Sequence, residues 1–285
     1  GSSFIAANGA TILLTEQHYL KGTYTGSGLG TVQIGTTDSN YPSAVIRVDP
    51  TGASFNFGDG LLHFVKGSIY SDNTPGIGYA TLTNNGSITI DTTNLASFST
   101  LSALNNAGFI AVAPTGQLRL TYTTLNNFVG GLIDFQGDGG LTGSGRLENH
   151  GALRRSSGPG TAEISVGAHL WSEGSIAIST GALRFSKDND SQIDGADIRV
   201  DAGGELILDA PSSKIGGTFT ASGSGLVTIS RNMQVTSAGL VLDFADGVLR
   251  VAGGGFNVGS GSSAEILNRG FITVMPGTTN LNVRE

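Results

Sequence analysis

The stretch Leu82-Thr-Asn84-Asn-Gly86-Ser-Ile88 decides the fold, because the same motif returns along the chain at an almost constant interval. Its anchoring leucines, which are 22, 21 and 22 residues apart, are Leu82, Leu104, Leu125 and Leu147. Weaker copies begin at Leu170, Ile193, Ile215, Val235 and Leu267. Self-similarity at a fixed period of this size indicates a repeat architecture, in which each unit is one small supersecondary element.

A second pattern lies behind each anchor and alternates apolar with polar residues around a turn. Clear examples span residues 46–52, 110–120 and 176–185. Period-two alternation over four or five residues is typical of a strand with one buried face, and Gly, Pro, Asn and Asp between such runs form turns. Each unit is therefore predicted to contain two or three short strands.

Units of this length are too small to bury their own apolar faces, so neighbouring units must stack and share one core. The sequence thus predicts an all-β fold, a right-handed, three-faced parallel β-helix (a solenoid) with coils of about 22 residues that stack about 4.8 Å apart. The competing fold is a tandem of β-sandwiches, with hairpin pairing and a core of Trp and Cys. The chain contains one Trp and no Cys, which favours the solenoid.

The domain organisation follows from where the motif is clear. Residues 1–61 lack clear copies, and the terminal units of a solenoid are expected to differ from the internal ones. We expect residues 1–61 to form an amino-terminal cap or irregular first coils, and residues 62–285 to form the solenoid coils. Both segments are expected to belong to one continuous domain.

The asparagine at the third position of the motif is the first candidate for a special role. In a stack of coils these side chains would form a ladder in which each amide hydrogen-bonds the next, and its members would be Asn84, Asn106, Asn127 and Asn149. The functional alternative is a row of amides that reaches for sugar hydroxyls. Beyond this row the predicted successors at the same position are Ser172, Gly195 and Gly217.

The composition excludes several classes of partner. The net charge is −7 and only 15 residues are Lys or Arg, so the chain has no basic surface for nucleic acid or anionic lipid. The absence of Cys excludes disulfides and thiolate metal sites. A membrane-spanning helix needs about 18 consecutive apolar residues, and the sequence contains no apolar run of that length. We therefore expect no nucleic-acid partner and no insertion into a membrane.

The coils around residues 82–110 and the stretch Leu141-Thr-Gly-Ser-Gly-Arg-Leu-Glu-Asn-His-Gly-Ala-Leu153 resemble a known class of repeat. They are similar to the Gly-, Asn- and Thr-rich repeats of bacterial autotransporter passengers and filamentous-haemagglutinin-like adhesins. The resemblance covers residues 81–274 and implies a secreted, surface-displayed stalk or adhesin without catalysis. Phage tailspikes and polysaccharide lyases share the same rod, so the fold alone does not decide the function.

Metal-binding candidates are confined to one acidic stretch. The four histidines form no His-Glu-x-x-His pair, so zinc is not supported. Asp188, Asp190 and Asp194 lie close together in sequence and could supply hard oxygen ligands to calcium. A solvated turn is the alternative interpretation, and we expect no other cofactor.

Two further surface features have a structural and a functional interpretation. Trp171 follows an apolar anchor, so its indole is predicted to point outward, where it could stack on a sugar ring or simply cover a coil edge. The pair Arg154-Arg155 is predicted to be a solvated turn. A lyase-like site would need carboxylates and a base on one strand face, and Asp188, Asp190 and Asp194 with Arg199 are available for it. Glycan hydrolysis would need a pair of carboxylates, for which Glu163, Glu173, Glu205 and the same aspartates are available.

These observations predict a non-enzymatic extracellular β-solenoid, a segment of a larger bacterial surface protein that is secreted or displayed on the cell. It would act as a rigid spacer and as an adhesin toward a glycan or another host or cell-surface ligand. The alternative is a carbohydrate-active β-helix, either a polysaccharide lyase or a tailspike-type domain that binds or hydrolyses glycans.

Overall fold

The computed structural model describes residues 1–71, 78–91, 96–171, 173–187, 191–258 and 263–276. Strands account for all regular structure in these residues, and every strand pair among them is parallel. The chain forms about 11 coils of about 23 residues, which is a β-solenoid. The predicted fold class is therefore confirmed, and the β-sandwich alternative is wrong because its strands would pair as antiparallel hairpins.

Short strands follow one another without interruption by any other element. The amino-terminal and middle strands are β1 (Ser2–Ala6), β2 (Thr11–Leu14), β3 (Gln17–Gly28), β4 (Thr31–Ile34), β5 (Ala44–Phe57), β6 (Leu62–Phe64), β7 (Gly67–Ser71), β8 (Thr81–Asn84), β9 (Ser87–Ile90), β10 (Ala96–Ser99), β11 (Ala103–Asn106), β12 (Phe109–Val112), β13 (Gln117–Thr121), β14 (Thr124–Asn127) and β15 (Leu132–Phe135). The remaining strands are β16 (Gly140–Asn149), β17 (Ala152–Arg155), β18 (Thr161–Leu170), β19 (Ser175–Ile178), β20 (Gly181–Phe185), β21 (Gln192–Val200), β22 (Gly204–Leu208), β23 (Lys214–Gly223), β24 (Leu226–Ile229), β25 (Asn232–Phe244), β26 (Leu249–Val251), β27 (Gly255–Val258), β28 (Ile266–Asn268) and β29 (Ile272–Val274).

The strands are arranged in three parallel stacks, and each coil contributes one segment to each stack. The first stack contains β1, β8, β11, β14 and β27 with one end of β3, β5, β16, β18, β21, β23 and β25. The second contains β2, β4, β6, β9, β12, β15, β17, β19 and β28 with the carboxyl ends of β21, β23 and β25. The third contains β7, β10, β13, β20, β22, β24, β26 and β29 with the amino ends of β3, β5, β16 and β18.

The strands of the first 61 residues already lie in these stacks. Tyr24 in β3 pairs with Ser2 on one side and with Phe55 on the other. Phe55 in turn pairs with Asn84 in β8, which belongs to the first clear copy of the motif. The register therefore runs from the first strand into the regular coils.

The core is a set of apolar columns that run along the inside of the three stacks. Leu82, Leu104, Leu125 and Leu147 pair in successive coils of the first stack and are each 0% exposed. Inward-facing residues of the other stacks, such as Ile133 and Leu118, belong to the same hydrophobic cluster. Complete burial of one such side chain stabilises the fold by about 1.5–3 kcal/mol relative to an exposed position, so each coil depends on its neighbours.

The corner between the first and second stacks varies in length, and this variation positions the candidate site. Ile110 follows Asn106, and Leu153 follows Asn149, by four positions. By contrast, between residues 84 and 176 two wide corners add two residues each, namely Asn127 to Ile133 and Leu170 to Ile176. Both wide corners are closed by the same turn, with a 2.8 Å hydrogen bond from Gly131 N to Phe128 O in one and from Gly174 N to Trp171 O in the other.

Candidate functional site

The four motif asparagines form one continuous ladder inside the first stack. Each Nδ2 donates to the Oδ1 of the next residue, at 2.8 Å from Asn84 to Asn106, 2.8 Å from Asn106 to Asn127 and 2.7 Å from Asn127 to Asn149. The same amide groups also bond to backbone oxygens such as Phe109 O and Ala152 O. All four residues are buried, so these amides hold neighbouring coils together and do not reach the surface.

The ladder ends at Asn149, but not in the way the sequence predicted. In the observed register Asn149 pairs with Leu170, which is followed in the same row by Ile193 and then Ile215. The assignment of Gly195 and Gly217 to this row was wrong, and Ser172 lies outside the described residues. The physical reason is the wide corner after Leu170. Its two extra residues make the sequence motif align Leu170 with Leu147, although Leu170 pairs with Asn149 in the structure.

The single tryptophan lies in that wide corner and contacts two imidazole rings. Its indole is 4.0 Å from the His169 ring and 4.9 Å from the His150 ring, with interplanar angles of 23° and 13°. Its Nε1 donates to Glu148 Oε2 at 3.0 Å. The side chain is partly exposed. Trp171 therefore covers the coil edge, and it also forms the centre of a group of polar side chains.

This group, which we call the corner cluster, consists of Arg146, Glu148, His150, His169, Trp171, Glu173 and Asp194. His150 Nδ1 is 2.7 Å from Glu173 Oε1, and His169 Nε2 is 2.7 Å from Asp194 Oδ2. Because a carboxylate can only accept, both ring nitrogens must be the donors. The other nitrogen of His169, Nδ1, lies 3.4 Å from both Arg146 Nη2 and Glu148 Oε2, and it accepts from the guanidinium when the ring is neutral.

Successive coils place these side chains in register, and this explains why they meet. Glu148 pairs with His169 and His169 with Gln192 on the outer face of the first stack. The corner positions are also aligned, because the backbone amides of His150 and Trp171 donate to Asn127 O and Asn149 O, the ladder residues of the preceding coils. The histidines are 19 residues apart in sequence, so only the stacking of coils brings them to one indole.

The predicted calcium ligands fall largely outside this description. Asp188 and Asp190 lie outside the described residues. Asp194 is described, and its Oδ2 accepts from His169 and, at 2.7 Å, from Gln192 Nε2. Within the described ranges, no group of three or more His, Asp or Glu residues is arranged to hold a metal ion.

Three other residues named for catalysis, Glu173, Glu205 and Arg199, are paired in separate places. Glu173 belongs to the corner cluster, whereas Glu205 lies on the third stack and contacts Arg250 Nη2 at 2.6 Å. Arg199 lies on the second stack and pairs with Asp201 at 3.0 Å. The structure therefore does not bring Glu173, Glu205 and Arg199 together on one strand face.

The prediction of a solvated turn at Arg154-Arg155 was wrong, since both residues belong to β17. Arg154 faces outward, and its hydrogen bond to the buried Asp134 raises the pKa of the Arg154 guanidinium above its ordinary value. Arg155 points inward and its side chain is 0% exposed. Its Nη2 donates to Asp138 Oδ1 at 2.8 Å and to Gly158 O and Gly160 O at 3.2 Å.

No protein-family model matches the chain, and neither the curated proteins nor the solved structures gave a match to it. In the part of the chain that the structure describes, no helix has the length and apolar character needed to cross a bilayer.

Proposed function

We propose that this chain is a non-enzymatic, rigid spacer of a larger bacterial surface protein, and that it acts outside the cell and carries an adhesive surface. The observation that carries the spacer role is the continuous parallel pairing from β1 to β29 over one shared core. Bending such a rod would separate strand pairs and expose apolar columns, and each of these changes costs free energy. The rod therefore holds a fixed distance between whatever is attached at its ends.

The expected length of the spacer follows from the strand spacing. About 11 coils, at about 4.8 Å per coil, give a rod on the order of 50 Å long. Small-angle X-ray scattering on the purified chain tests this directly. A pair-distance distribution typical of a rod is the expected result, and a compact or flexible particle would contradict the proposal.

An extracellular location is supported by composition and by the resemblance of the repeats. The absence of Cys suits a chain that is exported without disulfide formation, and Gly-, Asn- and Thr-rich coils resemble those of secreted adhesins. Brief protease treatment of intact cells of the source organism, followed by detection with an antibody to this segment, tests the location. Loss of the signal from intact cells is expected, whereas protection until lysis would argue against surface display.

The non-enzymatic role is preferred over a glycan lyase or hydrolase because Glu205 on the third stack and Arg199 on the second stack are paired away from Glu173 and Asp194 in the corner cluster. Glu173 pairs with His150, and Glu205 pairs with Arg250 on another stack. Incubation with neutral and acidic polysaccharides, followed by measurement of unsaturated products and new reducing ends, is expected to give neither. Formation of either product would favour the carbohydrate-active alternative.

A further inference from the structure

We propose that the corner cluster, together with the exposed side chains of Phe128 and Val129 beside it, binds a neutral oligosaccharide. This inference rests on the adhesive part of the proposed function, and it assigns that part to one corner of the rod. Phe128 and Val129, which lie in the other wide corner, are 41% and 73% exposed. The surface therefore combines apolar and aromatic area with charged and amide groups, as sugar recognition requires.

The first supporting observation is that this surface has a regular repeat along the rod. The outward side chains of Asn105, Asn126, Glu148, His169 and Gln192 are in register on successive coils of the first stack. The adjoining corner positions of three successive coils are Phe128, His150 and Trp171, whose amides bond to successive ladder carbonyls. At about 4.8 Å per coil, each row presents one planar polar group or ring per coil, at a spacing close to that of one sugar unit.

The second observation is that the cluster is held rigidly before any ligand arrives. Nε1 of Trp171 is bonded to Glu148, and both imidazoles stack on its indole. Gln192 and His169 converge on one oxygen of Asp194. Side chains that are already fixed lose little conformational entropy on binding, and such preorganisation is typical of ligand-binding sites.

The third observation concerns the hydrogen-bonding groups that the cluster leaves available. His150 Nε2 and Asp194 Oδ1 have no hydrogen-bond partner among the described residues, and both side chains are partly exposed, at 29% and 27%. When His150 is neutral and donates through Nδ1, its Nε2 is an acceptor, as is the carboxylate oxygen of Asp194. The complementary ligand groups are therefore hydrogen-bond donors, such as the hydroxyls of a sugar.

The charge of the cluster selects among sugars. Among its seven residues the corner cluster has three carboxylates, those of Glu148, Glu173 and Asp194, and one guanidinium, that of Arg146, which pairs with Glu148, while Glu173 and Asp194 each pair with an imidazole. The surface is therefore negative whenever the imidazoles are neutral, and it would repel uronic or sialic acids. Neutral hexose or N-acetylhexosamine chains carry the required hydroxyls without this repulsion.

The test titrates the whole chain with neutral hexasaccharides of glucose, mannose and N-acetylglucosamine and with uronic acid hexasaccharides. Trp171 is the single tryptophan, so its fluorescence reports on the proposed site. At least one neutral hexasaccharide is expected to bind and to change this fluorescence, whereas uronic acid chains do not. Failure of every neutral hexasaccharide to bind, or equal or tighter binding of the uronic acid chains, would overturn the inference.

Variants then locate the binding. Trp171→Ala and Asp194→Asn should each weaken the affinity by about 10-fold or more, measured by calorimetry. Tyr79→Ala removes another exposed aromatic side chain, and we expect it to leave the affinity unchanged. Circular dichroism and scattering check that each variant keeps the rod. If Asp194→Asn keeps the rod and binds the sugar as tightly as the wild type, the assignment of the binding site is overturned but the spacer role is not. A compact wild-type particle in the scattering experiment would overturn the spacer role.

Discussion

Asn106 and Asn127 are joined by a hydrogen bond of 2.8 Å from Nδ2 to Oδ1, in a position where both side chains are 0% exposed. The two residues pair directly between β11 and β14, so the hydrogen bond between their side-chain amides runs parallel to the backbone hydrogen bonds of the stack. Amide ladders of this kind also strengthen stacked cross-β assemblies. In this chain the ladder satisfies polar groups inside an otherwise apolar column.

Replacement of Asn106 by Ala is expected to destabilise the rod more than the loss of one hydrogen bond suggests. The change removes the acceptor for Asn84 and the donor for Asn127, and it leaves buried polar atoms with fewer partners. Each such atom costs about 1–3 kcal/mol, so we expect the free energy of unfolding to fall by roughly 2–4 kcal/mol. Guanidinium chloride denaturation followed by circular dichroism measures the change.

Asn105 provides the matched control for this experiment, because it is the neighbouring residue on the same strand but faces outward. Its Oδ1 accepts from Asn126 Nδ2 at 2.8 Å in a partly exposed position. Asn105→Ala is expected to cost less than about 1 kcal/mol, since water replaces the lost partner. Equal losses for the two variants would show that burial of the ladder contributes nothing to stability.

Gly108 is required because the preceding coil approaches it closely. A Cβ at this position would lie 2.1 Å from the carbonyl oxygen of Gly86. Gly108→Ala must therefore push two coils apart, and we expect a loss of about 1–3 kcal/mol in the free energy of unfolding. Gly58 is the control, because a Cβ there would meet no atom within 4 Å. Gly58→Ala should leave the melting temperature unchanged or slightly higher, and a similar fall for both variants would contradict the steric explanation.

The architecture could be predicted because one copy of the motif corresponds to one coil, so the spacing of the motif in the sequence gives the length of a coil. Leu82 and Leu104 are 22 residues apart in sequence and are direct partners between β8 and β11. The predicted successors of the asparagine row beyond Asn149 are wrong because Leu170, an apolar residue, has the sequence pattern of an anchor equivalent to Leu147. In the structure Ala168 pairs with Leu147, and the wide corner after Leu170 restores the frame at Ile176.

The corner cluster was only partly predictable. The sequence predicts an outward Trp171 side chain, but its contacts with His150 and His169 depend on the register of neighbouring coils at the corner, which the period alone does not give. A usable signal was present in the intervals, since Glu148, His169 and Gln192 follow one another by 21 and 23 positions. Arg155 could not be predicted to face the core, because a charged residue at an inward position contradicts the apolar pattern on which the alignment depends.

Asp49 provides a test of a local electrostatic effect at the amino-terminal end. The hydrogen bonds from the Thr51 side chain and backbone amide lower the pKa of the Asp49 carboxyl below its ordinary value. A carboxyl with a depressed pKa stabilises the fold above the pKa of the unfolded chain, and this contribution is lost as the pH falls through the folded value. Thr51→Val should therefore raise the pKa of Asp49, as followed by NMR titration, whereas Thr51→Ser should keep it low. An unchanged pKa in Thr51→Val would show that the hydroxyl is not the cause.

Arg155 gives the last prediction, because it is a guanidinium inside the solenoid between Phe135 and Ile178 of the second stack. It bonds the carbonyls of Gly158 and Gly160 and is paired with Asp138, while its Nε and Nη1 have no partner among the described residues. Arg155→Ala removes the packed aliphatic stem and leaves those two carbonyls without this donor. Because the Asp138 side chain is 57% exposed and is easily solvated, the expected loss comes from the cavity and the two carbonyls, and it is about 2–5 kcal/mol in the free energy of unfolding.

The control is Arg199→Ala, which breaks the surface pair of Arg199, a side chain that is 71% exposed, with Asp201. Exposed pairs contribute about 0–1 kcal/mol, so chemical denaturation should separate the two variants clearly. Arg155→Met keeps most of the apolar volume but not the bonds to Gly158 O and Gly160 O. If Arg155→Met were as stable as the wild type, the guanidinium would serve only to fill space. A loss of stability between those of Arg155→Ala and Arg199→Ala would show that its hydrogen bonds to Gly158 O and Gly160 O stabilise the fold.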